Sequence, residues 1–180
     1  MSFLISSRSS FSPYTHTYPF LFEKYVVDLY AVDNNGNKID NVDAFHIDLK
    51  TSKGQFPIYE CEKDGEKLYV FPLWGKGLWG PIWGYIALKE DFNTITGANF
   101  DHKSETPGLG AEIATQEFQN QFVGKKIFDN EDEFVSVLIR KPSAYDASNS
   151  HEVQALSGAT ITCNGCLLYT SDAADEEDSV

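Results

Sequence analysis

The sequence predicts an α+β fold: a single domain of antiparallel hairpins with a few helices. Short runs rich in β-branched and aromatic residues alternate with turn-forming residues along most of the chain, which is typical of antiparallel strands. Few segments are predicted as helices, and several hairpins with few helices indicate an α+β arrangement. The chain has 180 residues, of which 42% are hydrophobic and 23% are charged. That balance is typical of one soluble globular domain with its own core.

The first half of the domain is predicted as a strand, a short helix and a hairpin. Residues 25–32 are rich in β-branched and aromatic side chains, and an Asn-Gly turn at 33–37 follows them, so we expect a strand there. Apolar residues at three- and four-residue spacing predict a short helix over 42–50. Two strands, at 57–59 and 67–72, flank a Lys-Asp-Gly-Glu turn and are expected to form a hairpin.

A segment rich in glycine and tryptophan follows at residues 74–81. Its glycines and proline predict turns, and its glycines let the backbone approach a flat group closely. The segment leads directly into a predicted strand over 82–88. The next predicted elements are a strand at 93–97, a loop at 105–110 and a helix over 111–122.

The last third of the domain is predicted from fewer signals. Thr115 and Pro107 are both candidates for the true start of the preceding helix. Strands at 125–128 and 134–140 flank an Asp-Asn-Glu-Asp turn, which predicts a further hairpin, and a polar loop follows over 141–150.

The charge of the chain excludes one class of partner. The formal net charge is −13, and the sequence pI is about 4.6. A polyanion such as nucleic acid would be repelled, so we expect no nucleic-acid binding. The longest apolar stretches fall far short of the roughly 18 residues that cross a bilayer, so no transmembrane helix is expected in this chain.

The composition divides the chain into three parts. Residues 1–22 are polar, rich in Ser, Thr, Tyr and Pro, and lack the apolar region of a signal peptide, so they are interpreted as a disordered or non-native leader. Residues 23–165 form the predicted domain. Residues 166–180 carry five acids within the last nine positions and are interpreted as a non-native acidic tail.

The turn Ser157-Gly158-Ala159-Thr160 is the most informative short motif. It brings a hydroxyl and successive backbone N–H groups toward one point, which suits a phosphate. The same residue types are common at ordinary turns and at helix N-caps. The motif alone therefore leaves phosphate binding and helix capping open.

The cysteines and histidines give no clear sign of metal or hydrolytic chemistry. Cys163 and Cys166 have the spacing of a metal or redox pair, but only Cys61 lies elsewhere, and a structural zinc site needs four ligands. The four histidines show no helical metal spacing, and neither a nucleophile elbow nor a P-loop occurs. We therefore expect no metal site and no residue that is catalytic by itself.

Three segments, in this order, carry a resemblance to a known family. They are Gly-Leu-Trp-Gly-Pro-Ile-Trp-Gly-Tyr at 77–85, Glu-Thr-Pro-Gly-Leu-Gly at 105–110 preceded by His102, and Ser-Gly-Ala-Thr at 157–160. Over residues 23–165 the chain resembles the covalently flavinylated FMN-binding subunits of bacterial respiratory pumps. The segment at 77–85 is most similar to the FMN-binding subunits of the sodium-translocating NADH:quinone reductases.

The resemblance implies that FMN is attached through its phosphate to the hydroxyl of Thr160. Gly158 and Ala159 leave room for the phosphate and for the flavin transferase that attaches it, and the loop at 105–110 is expected to lie against the flavin. Trp79 is a weaker candidate for a contact with the ring. The expected cofactor-binding residues are Ser157, Gly158, Ala159, Thr160, Glu105, Thr106, Gly108, Leu109, Gly110 and Trp79.

Finer roles follow from the same resemblance and from residue type. Thr106 and the N–H groups of Gly108 and Gly110 are expected to donate hydrogen bonds to carbonyl or phosphate oxygens of FMN. Trp83 is expected in the hydrophobic core, because Trp buries a large area. His102 is interpreted as an exposed loop residue.

The resemblance implies an electron-transfer subunit without independent catalysis. Its complex would couple NADH oxidation and quinone reduction to sodium export, with the other pump subunits and a flavin transferase as partners. The implied location is the bacterial inner membrane, with this domain on the extracytoplasmic, periplasmic side. The anchoring helix of the family is absent from this chain, which is therefore interpreted as a fragment.

One departure and two alternatives remain open. Gln154 stands where the family carries Asp, six residues before the acceptor, and this difference is expected to weaken recognition by the transferase. The first alternative is the flavin-carrying subunit of the related Rnf ferredoxin:NAD oxidoreductase, which shares the acceptor motif and the loop at 105–110. The second is a non-catalytic extracytoplasmic binding domain, in which the Ser-Gly-Ala-Thr turn caps a helix.

Overall fold

A computed structural model of the chain describes residues 24–166. Within this range a six-stranded antiparallel sheet has the order β2-β1-β3-β4-β5-β6, and β7 and β8 form a separate parallel pair. The strands are β1 Val26–Val32, β2 Lys38–Ile39, β3 Phe56–Lys63, β4 Glu66–Lys76, β5 Pro81–Lys89, β6 Ile95–His102, β7 Leu138–Arg140 and β8 Glu152–Gln154. The helices are the 3₁₀ helices Ala44–His46 and Gly110–Ala114 and the α-helices α1 Gln116–Asn120 and α2 Thr160–Asn164.

The first predicted strand and the β3–β4 hairpin are confirmed. At the hairpin turn, Asp64 has φ 56° and Gly65 has φ 82°. Positive φ at both central residues is the requirement of a type I′ turn, whose twist matches that of paired strands. The local sequence therefore determines this hairpin and its register.

The β4–β5 hairpin differs from the prediction in length. The segment at 74–81 was expected to be mostly turn, but β4 continues to Lys76 and pairs Trp74 with Trp83. Only residues 77–80 turn, and Gly77 N–H closes the turn on the carbonyl of Gly80 at 2.8 Å. The alternation of β5 then places Trp83 on the sheet face opposite the core, half-buried, so its predicted core position is wrong.

The hydrophobic core lies on one face of the sheet, under the helices. Phe100 of β6 meets Phe122 at 5.1 Å between ring centroids, and Phe118 of α1 meets Phe122 at 5.5 Å. Each of these rings is at most 2% exposed, and burying such a side chain contributes about 1.5–3 kcal/mol. The cluster joins β5, β6, α1, β8 and α2, so the helix that begins at Thr160 is part of the main core.

Both predicted helices are shorter than expected. The helix over 111–122 is divided, because Thr115 adopts an extended conformation (φ −81°, ψ 146°) and separates the 3₁₀ helix from α1. The Thr115 hydroxyl caps α1 by accepting from Phe118 N–H at 3.4 Å, which confirms one of the two predicted starts. The helix over 42–50 is reduced to one 3₁₀ turn at Ala44–His46, capped by the Asp43 carboxylate.

The later strands differ from the predictions. The strand predicted at 93–97 is present as β6, but it begins at Ile95 and runs to His102, because it pairs with β5 along that length. The hairpin of 125–128 with 134–140 reduces to a single bridge between Phe128 and Phe134. The segment at 138–140 pairs in parallel with β8, a strand that was not predicted. The result is an α+β domain dominated by antiparallel sheet.

The boundaries of the predicted domain remain predictions. The leader assigned to 1–22 lies outside the described residues, and so does the acidic tail assigned to 166–180, apart from Cys166. None of the helices between residues 24 and 166 combines the length and the apolar character that crossing a membrane requires.

Candidate functional site

The three segments singled out in the sequence meet at one end of the sheet. The β4–β5 turn contributes Trp79, the loop after β6 contributes Glu105, and α2 contributes Thr162. Trp79 N–H donates to Glu105 Oε1 at 2.8 Å, and the Thr162 hydroxyl donates to Glu105 Oε2 at 2.7 Å. The Ser104 hydroxyl also donates to the carbonyl of Trp79 at 3.1 Å. Segments far apart in the chain are therefore joined by direct hydrogen bonds.

Thr160 is the first residue of α2 and follows a tight turn. Ala159 N–H closes the turn on the Leu156 carbonyl at 3.1 Å, and Gly158 has φ 73°. Ser157 and Gly158 are exposed, Ala159 is buried and Thr160 is half-buried. The N-cap of α2 is Ala159, and within the described chain no side chain caps this helix. Ser157 and Thr160 therefore do not act as helix caps.

The two threonines of this segment face different environments. Thr162 is 1% exposed and its hydroxyl is held by Glu105, whereas Thr160 is half-buried at the surface end of α2. Two helical positions separate the residues by about 200° around the axis, which follows from 3.6 residues per turn. Thr160 is therefore the more accessible hydroxyl for a modification.

Glu105 is 5% exposed, and the protein satisfies both of its carboxylate oxygens. Its backbone N–H donates to His102 Nδ1 at 3.2 Å. His102 is thus half-buried at the end of β6 and orders the start of the loop, which differs from the exposed role predicted for it.

Within the loop at 105–110, Thr106, Gly108 and Leu109 are exposed and Gly110 is buried. Gly108 has φ 76°, a conformation that suits glycine, and its N–H donates to Glu112 Oε1 at 2.9 Å. That N–H, which was predicted to face a cofactor, is thus bonded within the protein. A cofactor contact at Gly108 stays a prediction.

Four large apolar side chains are exposed on these segments. They are Leu78 (48%), Trp79 (66%), Leu109 (42%) and Ile161 (61%). A β-carbon at Gly158 would lie 3.0 Å from Leu109 Cδ2, so Gly158 and Leu109 are direct neighbours. The apolar exposure next to Thr160 makes this end of the sheet a candidate surface for a flat organic ring.

Three residues of this site were missed from the sequence: Leu78, Ile161 and Thr162. A helix predicted to begin at Thr160 would have placed Ile161 and Thr162 on different faces, one exposed and one buried. The exposure of Leu78 had no local signal, because it depends on how a four-residue turn packs against α2.

The end of α2 contacts β4 without intervening side chains. A β-carbon at Gly75 would overlap the carbonyl oxygen of Gly165, and one at Gly165 would lie 2.5 Å from the carbonyl oxygen of Lys76. Glycine is therefore required at both positions by the close approach of the two backbones. The sequence did predict a close approach here, but to a flat group instead of to a helix.

The nearby thiols are buried. Burial raises the pKa of Cys163 and, more strongly, that of Cys166. Cys163 Sγ accepts from Leu156 N–H at 3.5 Å. Within residues 24–166, no group of three or more His, Cys, Asp or Glu side chains is arranged to hold a metal ion.

Comparisons with known proteins give consistent matches. The profile of a family described as the FMN-binding domain matches residues 77–175. The C subunit of the Na(+)-translocating NADH-quinone reductase of Vibrio anguillarum is 31% identical over 176 residues, which cover 86% of this chain and 68% of the relative. The corresponding protein of Haemophilus ducreyi is 36% identical over 123 residues, or 68% of this chain and 47% of the relative. The chain spans about half the length of several such relatives.

Two solved structures are also similar. The C subunit of the Na(+)-translocating NADH-quinone reductase of Parabacteroides distasonis is 43% identical, with a TM-score of 0.74 over 81% of this chain and 72% of that chain. NqrC of Shewanella oneidensis is 27% identical, with a TM-score of 0.67 over 81% of this chain and 76% of that chain.

Proposed function

Because the chain belongs to the FMN-binding domain family, we propose that it carries FMN joined by a phosphoester to Thr160 and serves as an electron-transfer subunit. The relatives reported above are named as the C subunit of a Na(+)-translocating NADH-quinone reductase. These matches confirm the resemblance drawn from the three sequence segments. The proposed complex couples NADH oxidation and quinone reduction to sodium export.

The position of Thr160 supports its role as the acceptor. The hydroxyl belongs to a half-buried residue at the start of α2, after Gly158 and Ala159, whose small size leaves space for a phosphate. The other hydroxyl of this segment, on Thr162, is buried and bonded to Glu105. The accessible hydroxyl is the single observation that carries the assignment.

The surroundings of Thr160 fit a flavin. Trp79, Leu109 and Ile161 present exposed apolar surface on the segments around it, which suits the isoalloxazine ring. Gly158 adds to the fit, because a side chain there would press on Leu109. When bound, FMN supplies reversible electron transfer, and this chain anchors and orients the cofactor.

The partners and location are part of the same proposal. The chain works with the other subunits of the pump and is matured by a flavin transferase. It acts at the bacterial inner membrane, on the periplasmic side. The sodium pump is favoured over the Rnf complex, because the relatives reported above are named as subunits of the sodium-translocating reductase.

Covalent loading is tested by coexpression of the chain with a flavin transferase. We expect a fluorescent band on a denaturing gel and an intact mass raised by one FMN group. Thr160→Val should abolish both signals, while Thr51→Val, a change at an exposed threonine outside the site, should leave them intact. A band that survives Thr160→Val contradicts the proposal.

Gln154 provides a second test of the transferase signal. It ends β8, and its backbone N–H donates to Gln121 Oε1 at 2.9 Å, so a new side chain need not disturb the strand. We expect Gln154→Asp to load FMN faster than the unaltered chain. If both chains stay unloaded, the non-catalytic binding domain is the better interpretation.

A further inference from the structure

We propose that Glu105 is a positioning residue, whose buried carboxylate holds the β4–β5 turn, its own loop and α2 as one unit and so fixes the orientation of Thr160. The link to Thr160 rests on the function proposed above. The sequence had assigned Glu105 to direct contact with the cofactor.

The hydrogen bonds of Glu105 argue against that direct contact. Oε1 accepts from Trp79 N–H at 2.8 Å and Oε2 accepts from the Thr162 hydroxyl at 2.7 Å. The side chain is 5% exposed, so little of it is available to a ligand. Charge-assisted hydrogen bonds of this length are among the stronger polar contacts in proteins. The carboxylate is therefore committed to joining segments of the protein.

Two glycines of the motifs make room for this carboxylate. A β-carbon at Gly77 would lie 2.5 Å from Glu105 Oε1, and one at Gly110 would overlap Oε2. Neither glycine has a positive φ, so backbone conformation does not account for them. Instead, the carboxylate of Glu105 occupies the space that a side chain at either position would need. One carboxylate thus explains a glycine in each of two separate motifs.

The contact with Thr162 transmits the constraint to the acceptor. Thr162 lies two residues after Thr160 in α2, and its hydroxyl oxygen also accepts from Leu78 N–H at 3.4 Å. Holding Thr162 inward fixes the rotation of this short helix. Thr160, about 200° around the helix from Thr162, then keeps its half-buried position, and its chain neighbour Ile161 stays exposed.

The joining of the segments is tested in the flavin-free chain by amide hydrogen exchange. Glu105→Ala should accelerate exchange at Trp79 N–H by at least about tenfold, because a hydrogen bond to a charged group is lost. The amide of Ile86, in the middle of β5, serves as the control and should change far less. Equal acceleration at both amides, or none at Trp79, overturns the proposal.

The effect on Thr160 is tested by the rate of FMN loading, at a temperature where every variant is folded. The variants are made in a background chain that loads FMN, either the unaltered sequence or Gln154→Asp. Thr162→Val, which keeps the shape but removes the hydroxyl, should slow loading at least about tenfold. Thr162→Ser, which keeps the hydroxyl, should restore most of the rate.

The two experiments separate the two proposals. If neither the unaltered chain nor Gln154→Asp loads FMN, the proposed function is contradicted. The hydrogen-exchange result then still tests whether Glu105 joins the three segments. A different result overturns the positioning of Thr160: Thr162→Val loads FMN as fast as its background chain, although Glu105→Ala accelerates exchange at Trp79.

Discussion

Tyr59 shows how strongly the fold changes the ionisation of a single residue. It lies on the sheet face opposite the core, with its ring edge-on to Tyr85 at 6.4 Å between centroids. Burial, with a smaller contribution from Tyr85, raises the pKa of Tyr59 to about 12. The native state therefore keeps this proton at pH values where an unfolded tyrosine, with a pKa near 10, loses it.

We expect a loss of stability between pH 10 and pH 12 that depends on Tyr59. In that window the unfolded state binds fewer protons than the native state, so the free energy of unfolding falls as the pH rises. Below this window the contribution is complete. Urea unfolding of the unaltered chain and of Tyr59→Phe measures it, and the variant should show the shallower pH dependence. Identical slopes would exclude Tyr59 as the cause.

At the residue scale, Thr160 as the acceptor stays a prediction, and the structure adds contacts of its neighbours that the sequence did not show. Thr160 could be singled out because its four-residue motif is contiguous and follows two other segments that resemble the same family. Glu105 was expected to touch the cofactor because the resemblance places its loop against the flavin. Its hydrogen-bond partners, Trp79 and Thr162, are 26 and 57 residues away in the chain and could not be predicted. Nothing in a linear sequence reveals that both carboxylate oxygens are already bonded.

At the scale of elements, local signals predicted well and distant pairing predicted poorly. The β3–β4 hairpin follows from its Asp-Gly turn, which fixes strand register without help from elsewhere. The pair β7–β8 was missed, because its strands have three residues each and lie parallel across a polar loop. The helix over 111–122 was too long, because the capping preference of Thr115 prevailed over its position within a helical pattern.

The contact between α2 and β4 gives a test at this scale. Gly165→Ala places a methyl group against the carbonyl of Lys76 and 2.8 Å from Ile82 Cδ1, and we expect a loss of about 1–3 kcal/mol from overpacking. Urea unfolding measures the change. Gly97→Ala in β6 is the matched control: nothing lies within 4 Å of its new methyl group, so its stability should equal or exceed that of the unaltered chain. Equal losses in both variants would contradict a steric cause.

At the scale of the whole molecule, net charge and architecture have opposite effects on the stability of the folded state. The helices and the sheet share one core, which favours cooperative folding. The formal net charge of −13 produces repulsion that is strongest in the compact state. The fold was predictable in class because composition and hairpin spacing constrain it. The dominance of the sheet became visible only with the extended β4 and β6.

We expect salt to stabilise the folded chain at neutral pH. Raising NaCl from low concentration to about 0.5 M screens the repulsion between acidic groups and should raise the Tm by about 2–4 °C. The control is the same titration near the sequence pI of about 4.6, where the net charge is small and the rise should disappear. Thermal unfolding followed by circular dichroism gives both values. An equal rise at both pH values would contradict the electrostatic explanation.

The contact of Gly75 with Gly165 has a consequence for biosynthesis. These residues face each other across a span of chain that includes β5, β6, α1 and β8, so the contact forms only after nearly the whole domain has left the ribosome. A modifying enzyme that recognises the assembled surface around Thr160 must therefore act after translation of this domain. One that recognises only the Ser-Gly-Ala-Thr peptide could act earlier, so the timing of flavin attachment would distinguish recognition of the folded domain from recognition of the peptide.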